Sequence, residues 1–214
     1  RDAVYFVRDL VNTPTLDKTP EFFIDEVQKL IENEKITLDI HNQEWLKQEG
    51  FGGVLGVSQG SAKEPYLLVG EYNKSAKFKV SIIGKGVLFD TGGYSMKSPS
   101  GMETMKTDMA GAATAWAIIK LAASFKLNIG VKVLTPLVEN MVSSTAIRPG
   151  DVLTMRNKKT IEVLNTDAEG RLIMADALAY AAEESPNLLC DVATLTGASY
   201  VALGLDTVSY THLT

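Results

Sequence analysis

The sequence predicts an α/β fold: a mixed, largely parallel sheet sandwiched between helices in an αβα arrangement. Three observations predict it. Strand-like and helix-like segments alternate over most of the chain, the pattern of sheets covered by helices on both faces. Two helical stretches, "GAATAWAIIKLAASF" and "LIMADALAYAA", are apolar on nearly every side and must be covered on several of them. The 214 residues, 45% hydrophobic and 22% charged, have an ordinary globular composition and suffice for one sizeable core, hence one main domain.

The elements follow in order. Residues 1–12 read as a helix that "VNTP" ends. "TPEFFIDEVQKLIENEK" is a helix with Thr19 as cap, Pro20 at its first position, and an apolar stripe of Phe22, Val27, Leu30 and Ile31. "ITLDI" alternates as a strand, and "QEWLKQEG" is a short helix closed by Gly50. "YLLVGEY" and "FKVSIIG" read as adjacent strands joined by the polar turn "NKSA". A glycine-rich loop over residues 84–113 leads into the first apolar helix, and "IGVKVLTPLVE" is a long strand. "RPGD" is a turn, "KTIEVL" a strand, "RLIMADALAYAAEE" a helix, "LLCDVATL" a strand, and "TGASYVALG" opens another helix. Residues 208–214, "VSYTHLT", break the pattern and read as a non-native tail.

Composition excludes several classes. A net charge of −5 with no run of five like charges argues against a nucleic-acid surface. No apolar stretch reaches the roughly 18 residues of a membrane span. The single cysteine, Cys190, excludes an internal disulfide framework, fits a reducing, cytoplasmic compartment, and reads as a small buried hydrophobe. The start, "RDAVYFVRDLVNTP", has neither an initiating Met nor the pattern of a signal peptide, as in a chain entered partway through.

Two stretches concentrate charge where strands hand over to helices, the place where ligands gather on α/β sheets. One is "GKGVLFDTGGYSMKSPSGMETMKTDMAGAA", with Lys85, Asp90, Lys97, Lys106 and Asp108; the other is "LNTDAEGR", with Asp167, Glu169 and Arg171. The bland reading of each residue is a solvated loop charge in a surface ion pair. Both clusters at equivalent addresses favour a site. Asp90, Asp108, Asp167 and Glu169 brought together would raise one another's pKa, a cost that divalent cations remove. Four carboxylates can hold two ions about 3.5–4 Å apart. Neither His41, in a polar "DIHNQ", nor His212, in the tail, fits as a ligand, which leans toward Mg or Mn, with Zn also accepting carboxylates. Lys97 and Arg171 supply positive charge for an anion or a developing oxyanion.

Competing motifs fail on context. "GVSQG" matches the nucleophile elbow around Ser58, but the elbow needs a helix directly after it, and "SAKEPYLLV" follows, so Ser58 reads as part of a polar connection. "GKG" lacks the remaining positions of a phosphate-binding loop. "FDTGG" carries an aspartic-protease D-T-G only once, in a βα context.

The residues then identify a family. "NTDAEGRL" resembles the signature octapeptide of the leucine aminopeptidase (cytosol aminopeptidase) family, and "GKGVLFDTGGYSMK" followed by "MKTDMAGAA" resembles its other metal-site segment. "VRDLVNTP", "LTPLVENMVS", "RPGDV" and "ATLTGA" are similar too, in the right order, so the likeness spans nearly all of residues 1–205. It implies a two-metal exopeptidase acting on peptides with a free N-terminus, preferring leucine there. It implies Lys85, Asp90, Asp108, Asp167 and Glu169 as ligands of two Mn, Zn or Mg ions. Asp90 and Glu169 would bridge, Lys85 and Asp108 would complete one site, and Asp167 the other. Lys97 and Arg171 would be the catalytic pair, Arg171 clamping a bicarbonate, while Met105, Thr194 and Gly197 would help line the pocket for the first side chain. The resemblance further implies a cytoplasmic hexamer in the full-length form. Residues 1–12 would be the end of an inter-domain linker helix and residues 13–207 the N-terminal two-thirds of a truncated catalytic domain, with the family's N-terminal domain absent. The alternatives are an inactive fragment or non-catalytic assembly module of the same fold, and a phosphoryl-transfer enzyme using carboxylate-bound metal.

Overall fold

A computed structural model describes residues 1–204 and Asp206; the expected tail, with His212, lies outside the described residues. Six strands form one sheet in the order β1 (Ile36–His41), β2 (Tyr66–Tyr72), β5 (Gly130–Asn140), β3 (Lys79–Gly84), β8 (Leu188–Val192). β4 (Gly86–Asp90) continues from β3 and pairs with the second half of β5. β3 and β4 run parallel to β5, and β8 parallel to β3, whereas β1–β2 and β2–β5 are antiparallel. The sheet is mixed, and its parallel half carries the site.

Helices cover both faces, as expected. On one face α1 (Asp2–Asn12), α2 (Pro20–Ile31) and α6 (Ala110–Ser124) pack Leu10, Phe23, Val27, Trp116 and Ile119 against Leu68, Ile82, Leu88, Val133 and Leu137. On the other, α3 (Gln43–Gln48), α4 (Gly52–Ser58) and α7 (Glu169–Ala182) pack Leu46, Phe51, Val54, Leu172 and Ile173 against Leu67, Val69, Ile83, Leu134 and Val138. Neighbouring strand residues such as Ile82 and Ile83 thus serve opposite cores, as the pleat requires. The Thr19 cap forms, its hydroxyl accepting from Phe22 N at 3.2 Å. Cys190 is half-buried in β8. No helix among the described residues is long and apolar enough to cross a membrane.

Four expectations change. β2 and β3 are not partners: β5 inserts between them, taking β2 on one side and β3 on the other. The polar "NKSA" link resembles a hairpin turn, yet the long-range pairing with β5 wins because it buries both strands. The 84–113 stretch is not all loop, since β4 occupies Gly86–Asp90 and a one-turn helix, α5, occupies Pro99–Met102. "KTIEVL" yields only β7 (Thr160–Glu162), which pairs with β6 (Val152–Thr154) in a separate hairpin outside the main sheet. Ser58 is not in a polar connection. It is buried at the end of α4, its hydroxyl donating to Leu55 O at 3.1 Å, which also removes the nucleophile-elbow geometry.

α4 has no helix signal of its own, because "GGVLG" is rich in glycine, a poor helix former. The glycines serve close packing: a Cβ on Gly53 would sit 2.5 Å from Leu172 O. The helix start is capped from outside, by Asp176 of α7. This fully buried carboxylate accepts Gly53 N at 2.7 Å, Val54 N at 3.1 Å and Arg156 N at 2.8 Å. Asp176→Ala leaves three main-chain donors buried and unpaired. It should cost about 3 kcal/mol, since each orphaned group costs about 1–3 kcal/mol before relaxation and water entry. That lowers Tm by roughly 6–12 °C in a domain of this size, and a thermal melt showing no loss would contradict the capping role.

Among the described residues, one buried cation has no carboxylate partner. The Lys18 ammonium, fully buried, donates to Leu10 O at 2.9 Å and Lys106 O at 2.6 Å, while Lys106 Nζ reaches Asn12 O at 2.8 Å. Burial, with Lys106 adding to it, pulls the Lys18 pKa down to about 8. The two lysines fasten the carbonyl end of α1, which favours cations, to the short 3-10 turn Met105–Thr107 that precedes Asp108.

Candidate metal centre

The site lies at the carboxyl ends of the parallel strands. Asp90 ends β4, Lys85 stands at the break between β3 and β4, and Thr194 lies two residues beyond β8. At that break the backbone leaves β5: Lys85 N donates to Val192 O at 3.0 Å and Lys85 O accepts from Ala112 N at 2.9 Å. Pro136, which has no N–H to give, lies next to this point in β5. The Lys85 side chain crosses over Gly170, where a Cβ would come within 2.6 Å of Lys85 Cε. Asp167 and Glu169 arrive from the junction between a 3-10 turn and α7, fed by the β6–β7 hairpin rather than by a strand of the main sheet.

The structure brings five expected ligands and Lys97 together. Lys85 Nζ lies 2.8 Å from Asp108 Oδ1, 2.9 Å from Glu169 Oε1 and 3.0 Å from Thr194 O. Lys97 Nζ lies 2.9 Å from Asp90 Oδ2 and 2.6 Å from Asp167 Oδ1. Oxygens of Asp90, Asp167 and Glu169 fall within 4.8 Å of one another. Asp90, Asp108, Glu169 and Lys85 are each no more than 3% exposed. The loop between β4 and Lys97 needs Gly92 at φ +84°, in the left-handed region, and a Cβ there would stand 2.9 Å from Asp167 Oδ1.

Charge is unevenly satisfied in this cluster. Burial pushes Glu169 up to about 7, Asp90 adding to the shift and Lys85 opposing it. Burial also raises Asp108, against the pull of Lys85. On Lys85 burial acts downward, but Asp108 and Glu169 outweigh it and its pKa is raised. Lys97 is likewise raised: burial is overcome by Asp167 and Asp90. Asp108 Oδ2 and Glu169 Oε2 are buried without a hydrogen-bond partner, and Asp167 Oδ1 has the Lys97 ion pair but no aligned hydrogen bond. Buried carboxylate oxygens are rarely left so. Orphaned oxygens on converging carboxylates are the donor set that hard divalent cations take, so the residues fit a metal.

The other expected site residues are spread more widely. Thr194 reaches the cluster, its hydroxyl donating to Asp108 Oδ1 at 2.7 Å. Met105 is half-buried in the 3-10 turn before Asp108. Gly197 caps α8 (Ala198–Leu203), with nothing within 4 Å of a Cβ placed on it. Arg171 is exposed on the first turn of α7, outside the ion pairs of the cluster. His41 stacks on Trp45 at 3.7 Å on β1, the outer strand of the sheet.

Two residues that are not among the expected site residues complete the site. Asn140, at the end of β5, donates to Asp90 Oδ1 at 2.8 Å and to Thr166 O at 3.0 Å. The Thr166 hydroxyl donates to Gly92 O at 2.6 Å and accepts from Ser95 N at 2.7 Å. Both lie in segments that resemble the family, Asn140 in "LTPLVENMVS" and Thr166 in "NTDAEGRL", but neither side chain carries a charge that would mark it.

The model of the cytosol aminopeptidase family's catalytic domain matches residues 5–212. The chain belongs to the cytosol aminopeptidase family. A Micrococcus luteus protein named a probable cytosol aminopeptidase is 48% identical over 205 residues, 95% of this chain and 40% of that protein. A Nocardia farcinica protein of the same name is 51% identical over 206 residues, 96% of this chain and 41% of its own. The chain thus spans about two-fifths of the length of these curated relatives. Among solved structures, the cytosol aminopeptidase from Coxiella burnetii superposes with a TM-score of 0.90 at 40% identity, covering 95% of this chain and 44% of that one. The bottromycin maturation enzyme BotP in complex with Mn superposes with a TM-score of 0.89 at 36% identity, covering 95% and 45%. The αβα fold is therefore that of the cytosol aminopeptidase catalytic domain.

The pKa shifts give a sign for pH. Glu169 titrates at about 7 in the metal-free fold against an ordinary 4.5. Between those values the folded protein binds more protons than the unfolded chain, so this group's contribution to stability falls as pH rises through the window. A cation that needs the carboxylate must expel that proton below about pH 7. Mn(II) uptake should therefore release more protons at about pH 6 than at about pH 8. Calorimetry in buffers of different ionisation heat measures the count, and equal release at both pH values would contradict it.

Proposed function

We infer that the full-length protein is a metal-dependent aminopeptidase that removes the N-terminal residue, leucine by preference, from peptides with a free N-terminus. The observation that carries this reading is the set of converging, buried carboxylates with orphaned oxygens, held on the two segments that resemble the family's metal motifs. Asp90, Asp167 and Glu169 would hold one divalent ion, and Lys85 and Asp108, with Asp90 and Glu169 shared, a second; Mn, Zn and Mg all suit the donors. Such ions, when bound, acidify a water and polarise a carbonyl.

The chain's own residues then have distinct tasks. Lys85 must give up a proton to serve as a ligand, because Asp108 and Glu169 hold it as an ammonium in the metal-free fold. Lys97, at the rim of the cluster and 17% exposed, keeps its charge and donates to the carbonyl oxygen as negative charge develops there. Arg171 presents a planar fork to solvent, suited to bidentate hold of an oxyanion such as bicarbonate, which would move the proton between water and leaving amine. Met105, Thr194 and Gly197 would border the first side chain. A cytoplasmic hexamer is the assembly that the family resemblance favours for the full-length form.

The test is hydrolysis of a leucyl amide by the full-length protein with Mn(II) added, against hydrolysis of a phosphate ester. Amide cleavage alone supports the reading, phosphate release alone favours phosphoryl transfer, and neither favours a non-catalytic module.

A further inference from the structure

Asn140 is uncharged, 1% exposed, and at the meeting point of three segments of the site. Its main-chain oxygen accepts from Thr91 N at 3.0 Å and Thr91 Oγ1 at 2.8 Å, just beyond Asp90. Its side-chain nitrogen donates to Asp90 Oδ1 at 2.8 Å and to Thr166 O, next to Asp167, at 3.0 Å. Both partners are pure acceptors, so chemistry dictates that the nitrogen faces them, and both protons of the amide are used.

The consequence falls on Asp90. Its Oδ1 accepts from Asn140 Nδ2 and also from Gly92 N at 2.8 Å. Those two donors occupy that oxygen's lone pairs. Oδ2, which faces Lys97 Nζ at 2.9 Å, is the oxygen left for a cation. The last torsion of an aspartate is soft and nearly two-fold. Nothing intrinsic to Asp90 stops its oxygens from exchanging; the donors on Oδ1 do. The second proton of the amide ties the same carboxylate to the segment that carries Asp167 and Glu169.

We propose that Asn140 is a positioning residue for the metal centre: by holding Asp90 Oδ1 and Thr166 O together it selects the Asp90 oxygen offered to a divalent ion and sets the separation of Asp90 from Asp167 and Glu169. The proposal deepens the reading above and rests on it, since it requires that a divalent ion bind. Partners of this kind behind a ligand are worth about 10–100-fold in metal affinity.

The experiment uses the full-length protein with Mn(II) alone as the probe, comparing wild type, Asn140→Ala and Asn140→Asp by calorimetry, by EPR of the bound ion and by thermal melting of the metal-free forms. Asn140→Asp keeps the volume but turns an acceptor toward Asp90 and Thr166 O, so it tests the donor separately from packing. Asp176→Ala, remote from the cluster, reports what loss of stability alone does to binding. The expected result is Mn(II) affinity weakened about 10–100-fold in both Asn140 variants, with an EPR spectrum altered from that of wild type, while Asp176→Ala keeps the wild-type spectrum. Wild-type affinity and spectrum in Asn140→Ala would overturn the positioning role while leaving the metal reading intact. Failure of the wild-type protein itself to bind Mn(II) would overturn the metal reading and this proposal together.

Discussion

Glu169→Ala is expected to abolish peptidase activity and bring the metal content of the full-length protein to one ion per chain or below. Glu169 opens α7 at 1% exposure, with Oε1 on Lys85 and Oε2 buried and unpartnered. It stands between the Asp90–Asp167 side of the cluster and the Lys85–Asp108 side, so both prospective ions would share it. Its removal would then take a ligand from each. Asp90→Ala should behave alike, since Asp90 faces Asp167 through Lys97 and ends the strand nearest the cluster. Elemental analysis of the purified variants, beside leucyl amide hydrolysis, makes the comparison, and two retained ions in either variant would contradict the shared-ligand assignment.

Lys97→Ala should lower turnover by tens to about a thousandfold, the range for loss of one donor to a developing oxyanion, with metal content unchanged. The structure adds a second effect. In the metal-free protein Lys97 neutralises Asp90 and Asp167 at 2.9 and 2.6 Å. Removing one partner of a buried pair leaves the other charges uncompensated and costs about 3–5 kcal/mol, discounted here because Asp167 is 32% exposed. The metal-free variant should therefore melt lower than wild type, and saturating Mn(II) should close most of the gap, because the cation then supplies the missing positive charge. Near-normal turnover would remove Lys97 from the chemistry, and a stability loss that Mn(II) leaves in place would contradict the charge account.

Local chemistry was the legible part of this protein. The Thr19–Pro20 start of α2 was readable because a cap and a first-turn proline are strictly local signals, and the structure forms that cap. The charged segments were readable because carboxylates, Lys and Gly rarely gather beside apolar runs without a reason, and the fold collects Lys85, Asp90, Lys97, Asp108, Asp167 and Glu169 in one place. What stayed hidden depends on partners far along the chain. The insertion of β5 between β2 and β3 overrides a plausible hairpin turn at "NKSA". The helix at Gly52–Ser58 depends on a cap from Asp176, more than a hundred residues away in sequence. Asn140 and Lys18 carry no mark of their own: an Asn closing a strand inside the family-like "LTPLVENMVS" and a Lys in "LDKTP" look like surface residues until their donors are seen to end on Asp90, Thr166, Leu10 and Lys106.

The account stands on two divalent ions sharing one buried set of ligands. Crystals of the full-length protein soaked in Mn(II), with anomalous differences recorded at the manganese edge, test that directly. The account predicts two peaks, one among Asp90, Asp167 and Glu169 and the other among Lys85, Asp90, Asp108 and Glu169. Absence of anomalous density among these residues, or strong peaks only elsewhere on the surface, would contradict it.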